Sequence, residues 1–193
     1  MKANFLFIVF LSSVLISSCW EPKPVRYKLT DVDILMIPYE LDQKISFIDS
    51  LGNPFFLTVI SDHIGFLDMD EYTLYERRWV NLESDNEYLD IWMYLTNGYS
   101  SSIQIYIGKS PFTILYYSCN IDYNNDGQFS TDTANNNFRQ YLHKSVEINN
   151  KIYYDVVVRK CLENCYLFYN KTDGILQVID NDKVFFSIVN KDD

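Results

Sequence analysis

Glycine and proline are scarce in this chain, six and five among 193 residues. That scarcity excludes collagen-like and low-complexity classes, which need these residues in quantity. Basic residues are also few, 16 Lys and Arg against 26 Asp and Glu, and they form no run. A formal charge of −10 with no basic run argues against nucleic acid and against electrostatic docking on anionic lipid, because both depend on grouped Lys and Arg. Catalytic signatures are missing too: there is no G-x-S-x-G elbow, H-E-x-x-H pair, Walker loop or dinucleotide fingerprint. His63 and His143 lie in or beside strand-like runs and read as strand residues rather than general bases. Carboxylate pairs such as Asp68 with Asp70, or Glu83 with Asp85, could serve glycoside hydrolysis but read as solvated loop charges.

What the chain has is rings and one apolar run. Aromatic residues make up 17%, with sixteen Tyr and thirteen Phe, and 48% of the chain is hydrophobic. This is enough for one globular domain, far too apolar for disorder, and weighted toward strands, where rings pack on a pleated surface. The apolar run, Phe5 to Ile16, follows a short segment carrying Lys2. At about a dozen residues it suits a secretory signal and falls short of the roughly twenty that span a bilayer.

The run closes on Ile16-Ser17-Ser18-Cys19, which resembles a bacterial lipoprotein signal: a branched apolar residue, two small ones, then cysteine. The resemblance implies that residues 1–18 are removed and that Cys19 carries a diacylglyceryl group, often with a further acyl chain such as palmitate on the new amine. Two or three chains anchor stably where one binds only reversibly. The alternatives are an ordinary cleaved signal whose cysteine joins a disulfide, or an uncut anchor. Trp20 stands where family members kept in the inner membrane commonly carry Asp, so the resemblance implies outer-membrane sorting, with the leaflet open. Residues 19–28, with Pro22 and Pro24, are expected to be a tether of at most about 30 Å. Residues 29–193 are expected to form a single β-rich domain.

Past the tether, short apolar or alternating runs are separated by turn residues, which predicts an all-β fold: an antiparallel meander of about ten strands curled into a barrel, half-barrel or sandwich. The expected strands include Lys44 to Asp49, Phe55 to Ile60, Tyr72 to Leu82, Tyr88 to Leu95, Ser102 to Ile107, Phe112 to Ser118, Tyr141 to Ile148 and Ile152 to Cys161. Asn97-Gly98 and Asn149-Asn150 are turn dipeptides, since both tolerate positive φ. Alternation assigns Leu89, Ile91, Met93 and Leu95 to the core with Ile103, Ile105 and Ile107. The one helical candidate is Thr133 to Leu142. Two stretches, Ile37-Pro38-Tyr39 with Ile45-Ser46-Phe47 and the Asp49 to Asn53 turn, and Tyr169-Asn170-Lys171 with Gly174-Ile175-Leu176, resemble small bacterial lipoproteins without an established activity. That resemblance supports a β-rich lipoprotein and says nothing of chemistry.

Three local features carry candidate chemistry. Asp122-Tyr123-Asn124-Asn125-Asp126-Gly127 fits the start of a calcium loop, with Asp122, Asn124 and Asp126 side-chain oxygens, the Gln128 carbonyl and the Ser130 hydroxyl as donors to Ca2+. Position 12 is Thr133 rather than a bidentate Glu, and the rival reading is a plain turn. Cysteines Cys119, Cys161 and Cys165 sit in a chain expected in an oxidising compartment. Cys161 and Cys165 flank a hairpin turn and are the expected disulfide, with Cys119 pairing to either, or three buried thiols, as rivals. Zinc is not expected, since His63 and His143 lack ligand spacing. Tyr88, Trp92, Tyr94 and Tyr106 share one expected sheet face and could stack on a glycan or line an apolar groove.

Three functions follow. The leading one is an outer-membrane lipid-anchored lipoprotein acting as a non-catalytic binding or assembly module, held to the membrane by acyl chains and meeting a protein, glycan or lipid partner. The second is a periplasmic carrier of a hydrophobic ligand in a barrel or half-barrel pocket. The third is a carbohydrate-active enzyme.

Overall fold

The computed structural model describes residues 24–70, 73–85, 89–97, 101–109, 114–130, 139–162 and 164–189. Short turns between alternating runs leave neighbouring strands little choice but to pair, and they do. The described residues form β1 (Val25–Tyr27), α1 (Asp31–Ile34), β2 (Lys44–Asp49), β3 (Pro54–Asp70), β4 (Thr73–Ser84), β5 (Asp90–Thr96), β6 (Ser101–Lys109), β7 (Ile114–Tyr123), β8 (Gln140–Ile148), β9 (Lys151–Leu162), β10 (Cys165–Asn170), β11 (Gly174–Asp180) and β12 (Lys183–Ile188). Strands β2 to β12 pair antiparallel in the order β7-β6-β5-β4-β3-β2-β12-β11-β10-β9-β8, curled into a nearly closed barrel, and β1 joins off this path on β4.

Alternation places the core where expected. Ile91, Met93, Leu95, Ile103 and Ile105 are fully buried, and Leu89 and Ile107 nearly so. At the end of the barrel holding the β2–β3 turn, rings replace aliphatics. Phe47 meets Phe186 edge-on at 5.2 Å between centroids, and Phe55 meets Phe186 at 6.0 Å, the geometry that ring quadrupoles favour.

Several expectations change. β3 does not stop at Ile60; a register shift between Val59 and Ser61 lets it continue to Asp70 against β4. A bulge turns the strand without ending its ladder, so the polar stretch after Ile60 pairs through backbone rather than side-chain pattern. Part of the expected tether is structured: Val25–Tyr27 pairs in parallel with Thr73, Leu74 and Tyr75, and Tyr27 stacks on Tyr75 at 4.8 Å. The expected helix Thr133 to Leu142 is corrected where it is described: Gln140 to Leu142 open β8, paired with Val157, Val158 and Arg159. Its first six residues lie outside the described set.

The sheet closes on itself through a seam between β7 and β9. Cys119 on β7 and Cys161 on β9 form a disulfide with Cα atoms 4.9 Å apart. One turn of the ladder away, Asp122 Oδ2 faces Arg159 Nη1 at 3.6 Å. Beside them the buried Gln140 side chain imitates a peptide group: its Oε1 accepts from Asp122 N at 3.0 Å and its Nε2 donates to Asp122 O at 2.8 Å. β8 lies along the β9 edge where β7 has ended, since β8 pairs with Lys151 to Arg159 while β7 meets β9 at Cys161.

Candidate functional site

The chain's own segment 30–43 inserts part of itself into the core: Asp33, Met36, Ile37 and Tyr39 are buried, while Val32, Leu35 and Leu41 stay exposed. Thr30 caps α1: its hydroxyl accepts from Asp33 N and its own N–H donates to Asp33 Oδ2, a reciprocal capping box. The turn feeds Met36, Ile37 and Tyr39 into the core, all essentially inaccessible to water. Their backbone must then find partners inside the protein. Arg78, on the inner face of β4, donates Nη1 to Ile34 O at 2.7 Å and Ile37 O at 2.8 Å, and Nη2 to Tyr39 O at 2.7 Å. Asp62 balances its charge through two 2.8 Å contacts. Tyr169 donates its hydroxyl to Met36 O, and the Tyr39 hydroxyl accepts from Ile175 N at 2.6 Å. Burial holds both phenols well above the ordinary tyrosine range, so they stay neutral hydrogen-bonding groups. Asp33, itself buried, accepts from Asn97 Nδ2 at 2.7 Å and from the Tyr123 hydroxyl at 3.0 Å. Gly174 makes room for this plug: a Cβ there would lie 2.1 Å from the Tyr39 hydroxyl.

The loop expected to hold calcium forms a tight hairpin against this plug. Tyr123 bridges Phe129, Ser130 N donates to Asp122 O at 2.9 Å, and Asn124 N donates to Gln128 O at 2.8 Å. Asn124 Oδ1 accepts from the amides of Asp126 and Gln128, and the Asp122 carboxylate turns to Arg159. Burial raises the Asp122 carboxyl above its usual range while Arg159 opposes the shift. Three of the proposed donors are thus already engaged, Asp126 is exposed, and Asp132 and Thr133 lie outside the described residues. Among the described residues no group of three or more His, Cys, Asp or Glu side chains gathers. Gly127, at φ +69°, lets the turn sit on α1, where a Cβ would approach Val32 Cγ1 to 2.5 Å. With three of its five proposed donors held by the protein itself, the loop is expected to give the same melting temperature in millimolar calcium and in chelator. A calcium-dependent rise would show that Asp122 leaves Arg159 for the metal.

The expected Cys161–Cys165 bridge is corrected. Cys165 pairs with Leu162 and Tyr166 with Lys160, so Cys161 falls in a bulge without a partner across the ladder and turns to β7 instead. Cys165 remains a buried thiol whose pKa is pushed up to about 12, by burial first and then by Asp180. Thiolate is the reactive form. Iodoacetamide at mildly alkaline pH is therefore expected to leave Cys165 unmodified until the protein is unfolded; rapid labelling of the native protein would contradict that burial.

Of the expected ligand face, Tyr88 and the lipidated Cys19 lie outside the described residues. Trp92, Tyr94 and Tyr106 do share the outer face, since Trp92 pairs across to Tyr106 and Tyr94 to Gln104. They are half-buried against one another: Tyr94 and Tyr106 meet edge-on at 5.5 Å, and Arg77 lies 5.7 Å above the Tyr94 ring. The three residues make a packed outer layer more than an open platform. His63 is exposed opposite Trp79, and His143 is exposed on β8.

Described residues line two recesses at the surface. One, of about 210 Å³, opens at the ring-rich end beside Phe55, Leu89, Phe185 and Phe186, with Asp49 and Asn53 on its rim. Asp49 accepts hydrogen bonds from Asn53 and Leu51, which hold its carboxyl below the usual range and commit it to the turn. The other, of about 340 Å³, lies beside Asp155, a β9 residue at φ +50°, between Lys151, Tyr153 and Asp173. The first touches the core cluster at Phe55, Leu89 and Phe186, and neither is lined by Met36, Ile37 or Tyr39.

Sequence reasoning missed Arg78, Asp33 and Gln140. The Thr30-x-x-Asp33 spacing was a readable cap, but no local pattern says that a strand arginine will face inward. Comparison of the chain with protein-family models, curated proteins and solved structures finds no match.

Proposed function

We propose that this protein is a non-catalytic binding module of the bacterial cell envelope, tethered to the outer membrane by acyl chains on Cys19, that meets its partner on the outside of the barrel. The observation that carries the second half is the plug. With Met36, Ile37 and Tyr39 buried in the core and their carbonyls held by Arg78 and Tyr169, the barrel has its own tenant. A carrier needs an enclosed apolar chamber, commonly of 300 Å³ or more. The lipobox Ile16-Ser17-Ser18-Cys19 supports the anchor, and Trp20 supports outer-membrane sorting.

Mass spectrometry of the mature amino terminus tests the anchor: acylated Cys19 is expected, and Cys19→Ser should move the protein from the membrane to the soluble fraction. Unmodified Cys19 in a full-length chain would overturn this part. Titration with a fluorescent fatty acid tests the plugged barrel. No stoichiometric, saturable uptake is expected, and one-to-one binding would return the carrier reading.

A further inference from the structure

We propose that β8 is a docking edge that takes an extended, acidic segment of a partner protein as an added strand. β8 ends the sheet: its inner edge is laddered to β9 from Gln140 to Ile148, and among the described residues no strand pairs with its other edge. β7 covers only the seam at Cys161 and Gln140, because it ends where β8 begins. Alternate residues of the strand therefore present N–H and C=O groups outward, a template for main-chain pairing.

Its side chains have the same character. Residues 141–145 are exposed in succession, on both faces of the strand, and include Tyr141 and Leu142 at 45% each. A strand whose only task is to cover a core shows one wet face, not two. The hairpin partner adds Ile152 and Tyr154, exposed at 53% and 67%.

Charge selects the guest. From Arg139 to Lys160 the chain carries five Lys or Arg and two acids, Glu147 and Asp155, while the whole chain has 16 against 26; Arg159 is buried against Asp122, which leaves Arg139, Lys144, Lys151 and Lys160 for a guest to meet. An acidic protein thus presents the β8 edge in a locally basic setting. Lys144 stands at mid-strand with Leu142 and Val146 on the same face. The guest that fits has an acidic residue across from Lys144 and apolar residues two positions to either side, because facing side chains in adjacent strands pair directly. Lys144 also guards the edge against indiscriminate pairing, since a basic guest would meet like charge.

The inference deepens the module reading and rests on it. The probe is a labelled nine-residue peptide, Ser-Thr-Val-Thr-Glu-Thr-Val-Thr-Ser, which sets glutamate across from Lys144 with valine two positions to either side, matches the length of β8 and is titrated against the full chain. It is expected to bind about tenfold or more tightly than its lysine-for-glutamate counterpart, with the preference reversed by K144E. N-methylation of alternate peptide amides should abolish binding, because it removes the ladder and keeps every side chain. Lys144 is exposed, so K144E should melt like the native protein; if it does not, the N-methyl comparison on native protein decides alone. Equal binding of the acidic and basic peptides, undiminished binding of the N-methylated one, or no saturable binding overturns the proposal. So does a dimer of the chain cross-linked through β8, which gives the edge to a second copy. Failure here with Cys19 acylated removes strand addition and leaves the module reading; an unacylated Cys19 removes the anchor and leaves the edge.

Discussion

Replacing Cys161 by serine is expected to lower the folding free energy by about 4 kcal/mol, the entropy that a cross-link between residues 42 apart removes from the unfolded chain. For a domain of this size the melting temperature should fall by roughly 10 °C. The position of the bridge adds to its length. Cys119–Cys161 joins β7 to β9, the two strands that close the ring, and the other ties across that seam are the Asp122–Arg159 pair at 3.6 Å and the Gln140 amide. Without the bridge, the hydrogen bonds of Gln140 to the Asp122 backbone and the Asp122–Arg159 pair are left to hold the seam among the described residues. Cys119→Ser should cost about the same as Cys161→Ser, and the double variant no more than either. Cys165→Ala should cost only the modest amount expected of a small buried side chain, about 1 kcal/mol. Urea unfolding of the four variants, with peptide mapping under non-reducing conditions, checks the pairing. A large loss in Cys165→Ala with little in Cys119→Ser would assign the bridge to the hairpin instead.

Arg78→Met is expected to cost about 3 to 5 kcal/mol, the range seen when one partner of a buried ion pair is removed. Methionine nearly matches the stem of arginine, so packing changes little. What is lost is specific: the carbonyls of Ile34, Ile37 and Tyr39 lose their donor, and Asp62 is left without its cation. Arg78→Lys should recover only part, since one ammonium cannot reach three carbonyls and a carboxylate in the planar fork that guanidinium provides. The loss should also be visible locally, as proteolytic cleavage within residues 30–43 at urea concentrations where the rest of the barrel stays folded. A loss under about 1 kcal/mol, or cleavage no faster than in the native protein, would mean that apolar packing of Met36 and Tyr39 alone keeps the plug in place.

The two variants probe parts of the molecule that differ in how they were written into the sequence. The alternation in β5 and β6 is local information: a period of two names the buried set as soon as one face is known to be dry, and Ile91 to Leu95 and Ile103 to Ile107 needed nothing more. The turns at Asn149-Asn150 and Asn181-Asp182 are local as well, since all four residues adopt positive φ, where Asn and Asp are tolerated. The far half of β3 was not legible, because Ser61, Asp62 and His63 carry no apolar alternation and are held by the ladder to β4. The cysteines show the limit most plainly. Cys161 and Cys165 are neighbours in sequence, yet a one-residue bulge in the hairpin sends Cys161 toward a strand 42 residues away.

By itself, the sequence determined a strand-built acidic domain, the residues lining its core and turns such as Asn149-Asn150. Each of these depends on a residue's nature and its near neighbours. The tertiary structure decided the disulfide, the plug held by Arg78, the closure at Gln140 and the place of β8 at the end of the sheet order. Those depend on where the curling sheet brings distant strands together and where one strand outruns another, which is set by register and bulges summed over the whole meander. No single run of residues encodes that sum.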